Sequence, residues 1–135
     1  MDLGELQQKA LEIARTKGFF WKHRDEAGAL DAIVPKSLAH LHSEVSERYE
    51  EYRRAADGPA MSKLWIEGFP REISFEEMLR LAAQGHKPLG PASEAADVAI
   101  QLAELTAWLG INLVQAVAVK LAYYVTRPPK NGKVR

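Results

Sequence analysis

The chain has 135 residues, 47% of them hydrophobic, and its 18 basic and 18 acidic side chains cancel to a formal net charge of zero. That length fits one compact domain over residues 1–135, and the charge balance offers no bulk attraction to a nucleic acid polymer or a membrane surface. The lack of cysteine removes disulfides, thiolate metal sites and cysteine nucleophiles, and fits a reducing, cytoplasmic setting.

Met1 to Glu5 are polar and acidic, unlike a secretory leader. A first helix is expected over about Leu3 to Lys17, with Asp2 and Glu5 at capping-box spacing and Gly18 as its stop. Phe19, Phe20 and Trp21 follow as an aromatic cluster whose default role is packing, and the stretch from His23 to Pro35 reads as less regular. A second helix is expected from Ser37, carrying the apolar stripe Leu38, Leu41, Val45, Tyr49 and Tyr52, and fading at the turn Asp57-Gly58-Pro59. A connector with Trp65, Gly68, Phe69 and Pro70 leads to a short helix over Phe75 to Gln84, capped by Ser74 and ended by Gly85. After the turn Lys87 to Pro91, a third main helix is expected from Glu94 to Leu109 with Ser93 as N-cap and Gly110 as stop. A fourth runs from Leu113 to Thr126 behind Asn112, ended by Pro128 and Pro129, with a mobile basic tail from about 128. No convincing strand is seen. The expectation is an all-α bundle of four main helices plus a connector helix, completed by homo-oligomerisation because so short a chain leaves much apolar surface uncovered.

The third main helix carries the clearest signal. It is apolar nearly all round, which predicts burial nearly all round, and its stretch Ala95 to Leu109 fails as a membrane span because Asp97, Gln101 and Glu104 interrupt it. Glu94, Asp97, Gln101 and Glu104 fall at i, i+3, i+7 and i+10, an arc of about 80° on a helix. Such a line faces either water or a polar cleft. Carboxylates three apart project side by side within reach of one cation, and burying them unpaired would cost at least several kcal/mol each. The second helix offers a matching pair, Glu44 and Glu47, although glutamates are common on helix surfaces. Together the four carboxylates form a hard-oxygen donor set suited to Mg2+, with Mn2+ as a substitute. None of His23, His40, His42 and His86 stands three after a glutamate, so the histidines read as surface or packing residues.

On the fourth helix Lys120, Tyr124 and Arg127 share one face, and Lys130 and Lys133 follow. They are either a solvated basic end or a cationic set for an anion. Carboxylate-held metal together with lysine and arginine is the combination that a phosphate–metal complex needs.

Ser43-Glu-Val-Ser-Glu47, Lys87-Pro-Leu-Gly90 before Glu94-Ala-Ala-Asp97, Leu109-Gly-Ile-Asn-Leu113, Lys120 and Thr126-Arg-Pro128 occur in that order. The set resembles the MazG-like all-alpha nucleoside triphosphate pyrophosphohydrolases over roughly Leu38 to Lys133, with Gly18 to Trp21 similar to the aromatic segment ahead of the first acidic helix. It departs from the family pattern at Tyr124, at Asn131 and in a long connector. The resemblance implies hydrolysis of a nucleoside triphosphate to monophosphate and pyrophosphate. It also implies Mg2+ on Glu44, Glu47, Glu94 and Asp97, phosphate contacts from Lys120 and Arg127, and a homodimer or homotetramer. Within that scheme Glu47 is the candidate general base, Tyr124 and Lys130 further substrate contacts, and Trp21, Trp65 and Phe69 candidates for the base pocket. The rival readings are a non-catalytic helical adaptor and a metal-dependent hydrolase of another phosphoanhydride.

Overall fold

The computed structural model describes residues 1–17, 29–54, 63–69 and 72–128. The aromatic cluster at 19–21, the turn at 57–59, Pro70 and the tail from 129 with Lys130 lie outside the described residues, as do the side chains of Glu51 and Tyr52. The fold is mostly helical: α1 is Leu3–Lys17, α2 Ala29–Arg54, α3 Phe75–Ala83, α4 Pro91–Trp108 and α5 Leu113–Thr126. Two short strands, β1 at Trp65–Ile66 and β2 at Pro88–Leu89, flank α3 and pair antiparallel with Trp65 opposite Leu89. Among the described residues no single helix is long and apolar enough to cross a membrane.

The chain divides into two compact units, Met1–Lys22 with Ala103–Arg135, and His23–Leu102. In the first unit α1 begins with the expected reciprocal cap, the Glu5 amide donating to the Asp2 carboxylate at 2.9 Å and the Asp2 amide to the Glu5 carboxylate at 3.1 Å. Among the described residues of this unit, Ala10 and Ala14 of α1 and Ala103, Leu105 and Trp108 of α4 are the buried apolar residues. A buried glutamine ties these elements together. The Gln7 Nε2 donates to Thr106 Oγ1 at 3.0 Å and to the Ile111 carbonyl at 2.9 Å, and its Oε1 accepts from the Leu113 amide at 3.3 Å. It thereby gives the Ile111 carbonyl and the Leu113 amide side-chain partners at the α4–α5 turn. The Arg15 guanidinium lies 5.5 Å from the Trp108 ring. The cap of α5 is as expected, with Asn112 Oδ1 accepting from the Gln115 amide at 3.1 Å.

Among the described residues of the second unit, Ile66, Leu81 and Pro91 are buried apolar side chains. Ser74 caps α3 by accepting from the Glu77 amide at 3.1 Å. The return half of the capping box is not made, because the Glu77 carboxylate accepts instead from Arg80 one turn on. The Phe69 ring meets His86 edge to face at 5.3 Å between centroids.

Several expectations need correction. The ladder of β1 and β2 was not expected, since strands of two residues are too short to show a period of two. α2 starts at Ala29, eight residues before Ser37, and carries Pro35 inside it. Proline removes one backbone donor but does not end this helix. Ser37 is accordingly a buried helical residue rather than a cap. α4 starts at Pro91, not Glu94, because Pro91 is preset for a first helical position and the Ser93 and Glu94 amides both donate to the Gly90 carbonyl. Nor is α4 buried all round: Ile100 and Leu102 are exposed, and burial is concentrated in Ala103–Thr106 and Trp108. Glu104, at the far end of the polar line, is 7% exposed, so that end of the line does not face water. A periodic pattern states which residues share a face, but not how much of that face a neighbour covers.

Candidate metal centre

Two elements of the second unit bring the acidic site together. α2 carries Glu44 and Glu47 one turn apart on a common side. α4 carries Glu94 and Asp97 in its first two turns, so the register of its N-terminus decides where both carboxylates fall. That register is held by backbone. The Ala92 amide donates to the Lys63 carbonyl at 3.1 Å, the Glu67 amide to the Lys87 carbonyl at 2.9 Å, and β1 pairs with β2 immediately before Gly90. Gly90 has φ +105°, a left-handed backbone that glycine adopts freely. A Cβ there would stand 2.5 Å from the Trp65 ring and 2.6 Å from the Lys63 carbonyl oxygen. The close approach of these two segments therefore depends on a residue without a side chain.

The resulting geometry joins Glu44, Glu94 and Asp97, with one carboxylate oxygen from each lying within 4.8 Å of the others. Glu44 is partly covered, its side chain 14% exposed, whereas Asp97 is exposed. Burial pushes the Glu44 carboxyl above its usual value, and the charges of Glu47 and Asp97 add to the rise while His40 opposes it. The Asp97 carboxyl is likewise raised, first by burial and then by Glu47, with Lys87 pulling the other way. Two like charges about 4 Å apart repel by about 1 kcal/mol in water and about 4 kcal/mol at an effective dielectric near 20. A partly covered site lies between those limits. The chemistry of the donor set fits a divalent cation: all ligands are hard oxygens, and a cation would offset the burial and the neighbouring negative charge that raise Glu44 and Asp97. Glu44, Glu94 and Asp97 would hold it. Glu47 is exposed and stands outside this trio, acting on Glu44 and Asp97 through its charge.

Lys120, Tyr124 and Arg127 lie together on one side of α5, within the first unit. The Lys120 Nζ lies 5.3 Å from the centroid of the Tyr124 ring and 5.8 Å from that of Tyr123, and the Arg127 guanidinium 5.8 and 5.9 Å from the same two rings. Two tyrosines thus gather two cations on α5. Trp65 serves as the wall against Gly90, and Phe69 packs on His86. Sequence reasoning missed two residues at the acidic site. The His40 Nε2 sits 3.5 Å from a Glu44 carboxylate oxygen, a partner legible only as i, i+4 spacing. Lys87 was read as a turn residue, and only the pairing of β2 brings it near Asp97.

The raised carboxyl groups give a signed prediction for the metal-free protein. In the window above the ordinary values of 4.5 for Glu44 and 3.8 for Asp97, the folded state binds more protons than the unfolded state. These two groups therefore make stability fall as pH rises through that window. Chemical denaturation from acid to neutral pH in the presence of EDTA should find Asp97→Asn less sensitive to pH than the native chain, and more stable than it at neutral pH. A variant that is less stable at neutral pH would show Asp97 to be held by favourable contacts instead.

A scan against protein-family models, a search of curated proteins and a search of solved structures each return no match to this chain.

Proposed function

We propose that the chain is a nucleoside triphosphate pyrophosphohydrolase dependent on Mg2+, for which Mn2+ can substitute. The observation that carries this reading is the convergence of Glu44 from α2 with Glu94 and Asp97 from α4, their oxygens within 4.8 Å of one another. The ordered motifs of the MazG-like resemblance supply the reaction class. A divalent cation at that centre would neutralise phosphate charge and acidify water. Water adds across one phosphoanhydride, the α–β P–O bond breaks, and the products are a nucleoside monophosphate and pyrophosphate.

The chain's own residues divide the remaining work. Glu44, Glu94 and Asp97 would hold the cation. Glu47 is exposed and adjacent to that trio, which suits it to take the proton from water as well as to lend a fourth carboxylate. Lys120 and Arg127, gathered on the tyrosine pair with Tyr124, are the residues we assign to phosphate charge, with Lys130 following them in sequence. The expected compartment is the cytoplasm.

Phosphorus NMR of reactions with a panel of standard and modified nucleoside triphosphates and Mg2+ tests the reading. Monophosphate and pyrophosphate in equal amounts are the expected products. Orthophosphate without pyrophosphate would make the chain a hydrolase of another phosphoanhydride bond. No turnover on any member, with no stabilisation by Mg2+, would leave a helical adaptor.

A further inference from the structure

Between residues 34 and 50, α2 turns a single stripe away from solvent. Val34, Ser37, Leu41, Glu44 and Arg48 are buried or half-buried at steps of three and four, and the residues between them are exposed. Arg48 therefore leaves the helix on the covered face that carries Glu44, one turn further on and about 40° round the axis. Both belong to the unit that holds Glu94 and Asp97. The guanidinium is not spent on protein groups. Its Nη1 is fully covered and meets no hydrogen-bond partner among the described residues. No ion pair joins it to Glu44 there, and the Glu44 carboxylate lies 3.5 Å from His40 instead. The charges that act on Glu44 and Asp97 come from Glu47, His40 and Lys87 and, between the two, from Asp97 on Glu44. A charged donor covered from water without an acceptor is costly, and a ligand that brings the acceptor removes that cost.

We propose that Arg48 is a phosphate-binding residue of the acidic centre, its guanidinium donating to polyphosphate oxygens that the cation leaves free. The acceptor has to be an anion that tolerates carboxylates on the same helix face. A polyphosphate bound through a divalent cation does so. The cation offsets its repulsion from the carboxylates, and its remaining oxygens match the planar fork of a guanidinium two at a time. Lys120 and Arg127 belong to the other unit, whereas Arg48 supplies a guanidinium from the same helix as Glu44. The proposal rests on the reading of Glu44, Glu94 and Asp97 as a cation centre for a phosphate substrate.

Calorimetric titration of the full chain with inorganic pyrophosphate in Mg2+ tests it, beside titration with Mn2+ alone. Arg48→Met keeps an unbranched apolar stem and removes the fork. It should weaken pyrophosphate binding by about 10- to 100-fold, the range for a charge-assisted hydrogen bond, and leave Mn2+ affinity unchanged. Arg48→Lys keeps the charge without the fork and should recover only part of the loss. In EDTA without pyrophosphate, Arg48→Met should melt no lower than the native chain, because it removes a covered donor that has no partner. Pyrophosphate affinity in Arg48→Met within threefold of native, with Mn2+ binding intact, would overturn the role of Arg48 alone. So would an equal loss of Mn2+ affinity or a lower melting temperature in EDTA, either of which would make Arg48 a residue of the fold. A native chain that binds no Mn2+ would bring down the cation centre and this proposal with it.

Discussion

Glu94→Gln and Asp97→Asn should each lower Mg2+-dependent pyrophosphate release by about three orders of magnitude while the chain stays folded. The size follows from the role. A carboxylate that holds the cation contributes to several kcal/mol of charge stabilisation on the reacting phosphates, and each 1.4 kcal/mol or so is about tenfold in rate. Both replacements keep side-chain volume and hydrogen-bonding capacity and remove only charge. The charge that Asp97→Asn removes is costly to the metal-free protein, where burial and the charge of Glu47 raise the Asp97 carboxyl. Asp97→Asn should therefore melt no lower than the native chain in EDTA, and neither variant should gain from added Mg2+. That opposition separates a ligand from a merely structural acid, whose loss would lower activity and stability together. Steady-state kinetics and thermal melts with and without Mg2+ check it, and activity within tenfold of native in both variants would remove the metal assignment.

Gly90→Ala should be the most damaging small substitution in the second unit, costing about 3 kcal/mol through left-handed strain and overpacking combined. The added methyl meets both the Trp65 ring and the Lys63 carbonyl below 3 Å, and backbone cannot step aside as a flexible side chain would. For a domain of this size the loss corresponds to a fall in melting temperature of about 10 °C. Gly85→Ala is the matched control. It shares a positive φ, +94°, but a Cβ there meets nothing within 4 Å, so strain alone should cost it about 1–2 kcal/mol. Because Gly90 sets the approach of Lys63 and Trp65 to the start of α4, its replacement should also weaken stabilisation by Mg2+ through displaced Glu94 and Asp97. Equal melting temperatures for the two variants would show that the close contact at Gly90 relaxes without cost.

The sequence was most informative where local chemistry decides the structure. α1 and α5 have the bounds read from their caps, and Ser74 and Asn112 make the amide contacts that their residue types predict. It was least informative where distant segments decide. The start of α2 carries no cap signal, and the β1–β2 pair depends on partners more than twenty residues apart. At the candidate site, Glu94 and Asp97 stood out as a polar line on an apolar helix, whereas nothing local told Glu44 from an ordinary surface glutamate. Its meeting with α4 is tertiary, as is the approach of Lys87 to Asp97. The burial of Glu104, three turns along the same line as Glu94, belongs with these, because helical spacing alone does not say where a neighbouring element begins to cover a face.

The central claim is that Glu44, Glu94 and Asp97 form one divalent-cation centre. Titration with Mn2+, followed by electron paramagnetic resonance without nucleotide present, tests it most directly. The native chain should remove free Mn2+ from the spectrum, Mg2+ should compete for the same site, and Glu94→Gln and Asp97→Asn should each abolish the binding. No binding by the native chain, or binding that survives both substitutions, would contradict the claim.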